Sequence, residues 1–317
     1  MKLSLVVLSL VSIGLSAPFA KGKRASCTSK TTRKSWHSLT REEKLSYIEA
    51  EKCLMSKPAK LGLTGARTLF DELQLFHVYQ TPEIHGVGAF LPYHRFFVHA
   101  HEHLLKTECN YTGGQPYWNE ALDAGNFSTS IVLDPETGFG GNGVAPSNCI
   151  QDGPFKDYVN AIGPGEAISD HCIDRIVNEC MSVMGNSTFV NQCMQMQDYK
   201  TFWPCVEAAP HSAGHGGIGG QMMNVFSSPG DPLFYLHHAY LDKLWADWQS
   251  QNLSARLLDI SGTNRAPFPP FSFPLPGNDP GNVTTLSHVL TVYGAVPNVT
   301  IADVMDIQGG TLCYEYV

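Results

Sequence analysis

The sequence predicts a mainly α-helical chain with long surface loops and few short strands. Three observations lead there. Apolar residues recur at helical spacing in four separate segments. The 29 glycines and 20 prolines among 317 residues force a large share of loop. A hydrophobic fraction of 43% against 16% charged residues is too apolar for a disordered chain and is enough for a sizeable core. No repeat of fixed period and no long linker is visible, so the bulk of the chain is expected to be one domain.

The elements follow in order. Met1-Lys2 and the apolar run Leu3 to Leu15 form a secretory signal, too short to span a bilayer. The dibasic pair Lys23-Arg24 follows and is the expected processing site. Residues 1–24 are therefore expected to be signal and short pro-segment, and residues 25–317 a single domain. Removing four bases would take the net charge from −8 to −12. Six sequons, at Asn110, Asn126, Asn186, Asn252, Asn282 and Asn298, agree with secretion. So do nine cysteines, most of which should pair in an oxidising compartment. Nine is odd, so at least one is left over, and the pairing is not legible.

A first helix is expected within 33–56 (Trp36, Leu39, Leu45, Ile48, Leu54), where Thr40 to Glu43 has the capping-box pattern. A second covers 66–80, with Leu69, Phe70, Leu73, Phe76 and His77. A loop from Thr81 to Leu91 follows, and Pro92 suits the first turn of a third helix to about Lys106. Stretches 127–150 and 163–170 read as loop, and 171–200 as a short helix held by cysteines. Asp231-Pro232 is a cap and helix start for a fourth segment reaching about Gln249. Six prolines between Pro267 and Pro280 predict an extended surface loop. Val289 to Val317 is short and mixed.

Thirteen histidines are the unusual count. They group as His77, His85 and His94; His99, His101 and His103; His211 and His215; and His237 with His238. Histidines on apolar helix faces are costly without partners, and a shared metal would supply one. A set without cysteine or carboxylate suits copper, zinc or iron. Two sites of three would be a dicopper centre. His37, His171 and His288 read as ordinary core or surface residues, as does the His99, His101 and His103 run at the polar end of its helix. The acidic balance argues against nucleic acid. No later run of 18 apolar residues argues for a membrane span.

The stretch His85 to Phe97 (HGVGAFLPYHRFF) resembles the first copper motif of the tyrosinase and catechol oxidase family. The stretch from His211 through His215, Gly219 to Met222, and Ser228 to Trp245 resembles the second. The closing Cys313-Tyr314-Glu315-Tyr316 resembles the tyrosine pair that ends the catalytic domain. The likeness runs from about Arg33 to Tyr316 and is greatest to short, secreted fungal polyphenol oxidases. It implies a four-helix-bundle core housing two copper ions, one held by His77, His85 and His94 and the other by His211, His215 and His238. The choice of His238 over His237 comes from the family pattern. Asp242, one turn beyond His238, is a candidate for orienting an imidazole, or else a surface ion pair.

Departures from the pattern shape the expectations. Glu83 stands where many members carry a cysteine joined to the second histidine, so that thioether is ruled out. Glu207 matches the glutamate thought to hold a water. Its usual asparagine partner is replaced by Ser212. Gly216 leaves the mouth of the second copper open, Val225 falls at the gate position, and no C-terminal lid is expected. The implied function is oxidation of o-diphenols, with room for methoxyphenols, to o-quinones by O₂. Alternatives are a tyrosinase that also hydroxylates monophenols, a haemocyanin-like O₂ carrier, and a structural or zinc-binding secreted protein. The implied partners are small phenols and O₂; oligomeric state is not legible.

Overall fold

A computed structural model describes residues 27–264 and 283–317. The signal and pro-segment expected at 1–24, the proline-rich loop from Pro267 to Pro280 and the sequon at Asn282 lie outside the described residues. A short strand β1 (Thr31–Arg33) leads through a 3₁₀ turn at Trp36–Ser38 into helix α1 (Arg41–Ser56). The capping box forms as expected: Thr40 Oγ1 accepts the Glu43 N–H and the Glu43 carboxylate accepts the Thr40 N–H.

Helix α2 (Leu69–Ile84) starts three residues later than expected, at a second capping box between Thr68 and Asp71. It also runs on to Ile84, into the first residues of the stretch Thr81 to Leu91 assigned to loop. Pro82 falls in its last turn, so the missing N–H removes a single bond near an end where burial holds the helix together. Helix α3 (Phe90–Cys109) carries Pro92 in its first turn and ends at Asn110 in the left-handed region.

Residues 127–150 contain short 3₁₀ turns and a hairpin of β2 (Gly143–Val144) with β3 (Cys149–Ile150). A second hairpin pairs β4 (Val159–Ile162) with β5 (Ile168–Cys172). Stretch 163–170, expected as loop, is therefore the turn and first strand residues of a hairpin; alternation too short to register in the sequence hid it. The cysteine-held stretch 171–200 is two helices, α4 (Glu179–Ser182) and α5 (Ser187–Met194), followed by α6 (Tyr199–Val206).

A π turn at Glu207–His211 continues α6 into α7 (Ser212–Ile218). Helix α8 (Leu233–Ser250) begins where expected, Asp231 Oδ1 accepting the Leu233 N–H at 3.0 Å. Short elements complete the chain: α9 (Leu253–Arg256), β6 (Val289–Leu290), β7 (Val299–Thr300), α10 (Ile301–Val304) and β8 (Tyr314–Tyr316). Strand β6 pairs with β7, and β8 pairs in parallel with β1.

The mainly α expectation holds, and α3 and α8 form the spine. They pack along each other, α1 and α2 pack on α3, and the π turn packs on α8. Large apolar side chains fill the space between, among them Phe97, Phe234, Trp245 and Trp248. Four disulfides brace the loops: Cys27–Cys313, Cys53–Cys109, Cys149–Cys172 and Cys193–Cys205. The odd cysteine is Cys180, which is exposed.

Asp242 neither orients an imidazole nor sits in a surface pair. It is buried and takes hydrogen bonds from Arg95 Nε, from Arg33 at 3.3 Å, and from the hydroxyls of Tyr314 and Tyr316 at 2.5 Å each. Arg33 also holds Glu102. This cluster pins both terminal strands to α3 and α8.

Candidate metal centre

Seven histidines lie around the junction of α2, α3, α7 and α8. His77 sits in the middle of α2, His85 follows its last residue, and His94 lies in the first turns of α3. Their ligand atoms gather in one buried group. His211 ends the π turn, His215 lies one turn on in α7, and His237 and His238 lie in α8; these four form the second group. The rings of His94 and His238 stack across the two groups, 4.2 Å apart and 12° from parallel.

The backbone fixes which nitrogen faces inward in five of these rings. Nδ1 of His77 bonds the Phe226 carbonyl at 2.7 Å, Nδ1 of His85 that of Thr81 at 3.0 Å, and Nδ1 of His94 that of Phe90 at 2.8 Å. Nδ1 of His211 bonds the Glu207 carbonyl at 3.2 Å and Nδ1 of His215 that of Met222 at 2.5 Å. A carbonyl only accepts, so each of these rings carries its proton on Nδ1 and its lone pair on Nε2. The last of these bonds depends on a glycine turn. Gly219 and Gly220 have φ of 69° and 51°, and a side chain at Gly220 would meet the Asp174 carbonyl at 2.2 Å.

The resulting arrangement needs a cation. His77 Nε2 faces His94 Nε2 at 3.5 Å, two lone pairs with no proton between them. His215 Nε2 and His238 Nε2 face each other at 3.3 Å, and buried His211 Nε2 and His238 Nδ1 have no hydrogen-bond partner among the described residues. Buried acceptors left facing each other are costly, and a bound metal ion removes the cost. Neutral imidazoles on two sides suit copper or zinc. Burial, with help from neighbouring rings, holds His77, His94, His211, His215 and His238 well below the usual histidine pKa, and burial lowers His85 to about 4. All six are therefore neutral at pH 7, as metal ligands must be.

His237 differs from His238 in its surroundings. Its Nδ1 bonds the carboxyl of Glu120, a residue the sequence reading missed, and its Nε2 has no partner among the described residues. Burial pushes Glu120 up and His237 down to about 3, so the pair is neutral overall. Helix α7 passes so close that a side chain at Gly214 would lie 2.1 Å from His237 Nδ1.

The other expected site residues are placed less uniformly. Glu207 points its carboxylate at the Gly86 N–H, 2.8 Å away, in the loop after His85, and burial raises its pKa to about 7. The Ser212 hydroxyl does not meet that carboxylate; it bonds the Glu207 backbone carbonyl at 3.2 Å. Val225 lines the pocket and is partly exposed. Gly216 is corrected: it does not leave the mouth open. It is buried, and a side chain there would meet the Met181 ε-methyl at 2.8 Å, so Met181 of α4 already occupies that space. Nothing in the local sequence links residues 35 positions apart, which is why the glycine alone misled.

A cavity of about 190 Å³ opens onto the histidines. It is lined by His85, His211 and His215, by Met181, Met222, Met223 and Val225, and by Ser212 and Ser228. No charged side chain lines it among the described residues. An apolar cavity of ~150 Å³ accepts benzene, so this one has the size of a single substituted ring.

Three of the other histidines are held by side-chain partners away from this centre. His101 is buried between Gln115 and Glu51 and stacks on Tyr235 at 3.6 Å. His37 pairs with Asp123, and His171 with Gln221.

Comparison with known proteins agrees with this geometry. The family profile described as "Common central domain of tyrosinase" matches residues 67–251. The tyrosinase-like protein phomQ1 of Diaporthe leptostromiformis is 32% identical over 318 aligned residues, covering 92% of this chain and 78% of that one. N-acetyl-6-hydroxytryptophan oxidase ivoB of Emericella nidulans is 28% identical, covering 98% of each chain. A polyphenol oxidase point mutant from Thermothelomyces thermophila has the same fold, with a TM-score of 0.82 and 30% identity over 91% of this chain and 89% of that one.

Proposed function

Because the chain belongs to the tyrosinase family, we propose that it is a secreted dicopper oxidase that converts o-diphenols to o-quinones with O₂. One copper is assigned to His77, His85 and His94, the other to His211, His215 and His238, and residues 25–317 to one catalytic domain. The observation that carries the reading is the inward-facing set of Nε2 atoms, five of the six rings locked by a backbone carbonyl on Nδ1, beside a ring-sized cavity. Four disulfides support secretion, and no helix of the described residues is long and apolar enough to cross a membrane.

A copper pair held by the six histidines would supply the redox chemistry, two catechols and one O₂ giving two quinones and two waters. The chain supplies the rest. Backbone carbonyls orient five of the six rings with Nε2 toward the site. The methionines and Val225 desolvate the ring of the substrate, and Met222 also presents the carbonyl that orients His215. A cavity without charged side chains offers no partner to a carboxylate or ammonium, which favours neutral phenols over amino-acid phenols.

A monophenol must first lose its proton. Ser212 and Glu207 are both committed to backbone partners, so no side-chain pair is poised to hold a basic water, and diphenol oxidation should dominate. One observation favours the second reading, a tyrosinase: Glu207 titrates near pH 7 and so can take a proton there. The test is to load the purified protein with copper and follow O₂ uptake and quinone absorbance together. Two quinones per O₂ from 4-methylcatechol, with much slower turnover of the matching monophenol, are expected. Equal rates on both would overturn the diphenol preference, and no O₂ uptake would overturn the oxidase.

A further inference from the structure

We propose that Met181, on a helix outside both histidine groups, sets the size of substrate that the cavity admits. The inference rests on the oxidase reading above and adds the residue that decides which phenols enter. Three observations place Met181 there. It lines the cavity together with Ser212, Met222, Met223 and Val225. Its ε-methyl lies where a side chain on Gly216 would project, 2.8 Å from the ideal β-carbon position, with its Cβ and Cγ at 3.4 and 3.5 Å. Gly216 directly follows His215, so the methionine is seated against the backbone of a histidine-bearing turn.

Helix α4 is held firmly in that position. The Ile176 N–H donates to the Ile218 carbonyl at 3.0 Å and the Asn178 N–H to the Gly217 carbonyl at 2.8 Å, which zips the segment before α4 to the end of α7. Asn178 Oδ1 then caps α4 by accepting the Met181 N–H. Gly217 makes room on the same side, since a side chain there would meet Phe127 at 2.6 Å and Ser182 at 3.0 Å. Gly216 and Gly217 of α7 therefore serve to bring α4 close, and the methionine takes the volume that a larger residue at 216 would otherwise fill. Methionine is unbranched and flexible, so it closes the cavity around a small ring and yields partly to a larger one.

Truncation at 181 removes the γ-methylene, sulfur and ε-methyl from the cavity wall without touching a histidine. A para substituent that presses on the methionine in the native protein then gains room. Met181→Ala should raise the ratio of kcat/KM for 4-tert-butylcatechol to that for 4-methylcatechol by about tenfold or more, since each methyl-sized fit in an apolar pocket discriminates by at least that order. Met181→Leu keeps the volume and should leave the ratio within about twofold. Gly216→Ala should push the methionine and lower the ratio, an effect that disappears in the Met181→Ala background.

Binding provides a readout independent of turnover. The copper-free protein, titrated with toluene and tert-butylbenzene and read by thermal shift, should prefer toluene, and Met181→Ala should reverse that preference. Copper content and melting temperature of each variant establish that it has folded. An unchanged substrate ratio together with an unchanged toluene preference in folded, copper-replete Met181→Ala overturns the proposal. Absence of turnover in the unmutated protein would overturn the oxidase reading instead, and leaves the binding arm to decide the role of Met181.

Discussion

Replacing Asp242 by Ala tests how the terminal strands are held. The carboxylate is buried and accepts from Arg95, Arg33, Tyr314 and Tyr316. Alanine leaves two guanidinium groups and two phenols short of an acceptor in the interior. Arg33 keeps Glu102, and Arg95 keeps Gln249 and the carbonyls of Val304 and Met305, so neither charge is wholly orphaned. Breaking one partner out of a buried ion pair costs about 3–5 kcal/mol. With an unfolding entropy of ~2.1 cal/mol/K per residue, a chain of this length shifts by roughly 1.5 °C per kcal/mol, so Tm should fall by about 5–8 °C. Calorimetry on metal-free protein is the assay, because bound metal would add its own stabilisation. Tyr316→Phe removes the hydroxyl's bond to Asp242 and the one it accepts from Arg33, and should cost less, about 2–4 °C. A shift under about 2 °C for Asp242→Ala would refute the idea that this cluster secures the termini.

Other outcomes follow from the site. His238→Ala should bind one copper per chain instead of two, whereas His237→Ala, whose ring is tied to Glu120, should keep both; copper per chain by elemental analysis decides, and the reverse pattern would exchange their roles. Gly214→Ala places a methyl about 2.1 Å from His237 Nδ1 on a helix that cannot move away, and soluble yield or Tm should drop sharply. The metal-free chain should be acid-labile. Its buried histidines have folded pKa values below the unfolded ~6.5, so the unfolded chain takes up protons that the folded chain refuses. Stability is full above that value and is lost as pH falls from 6.5 toward the folded values, about 4 for His85. Each such histidine contributes up to about 1.4 kcal/mol per pH unit in that window. Urea titrations at pH 7.5 and 5.5 check this, and equal midpoints would contradict it.

Much of this was legible in the sequence because it is local. The Thr40 capping box, the Asp231-Pro232 start of α8 and the His211 to His215 spacing each depend on residues within one turn of one another. The histidine groups were legible too, since imidazoles are out of place on apolar helix faces. The miscast residues depend on neighbours far along the chain. Asp242 sits one turn from His238 and so suggested a histidine partner, yet its partners come from positions 33, 95, 314 and 316.

What the sequence by itself determined is the chemistry available: a mainly α chain, six histidines in two ordered motifs, and an odd cysteine. Tertiary structure decided how that chemistry is presented. It turned five of the six Nε2 atoms inward by supplying a carbonyl to Nδ1, made Cys180 the unpaired thiol, and filled the space beside Gly216 with Met181. The physical reason is the same in each case. A glycine, a carboxylate or a ring nitrogen has no fixed role until packing sets which groups lie within hydrogen-bond or van der Waals reach, and those groups come from other elements of the fold.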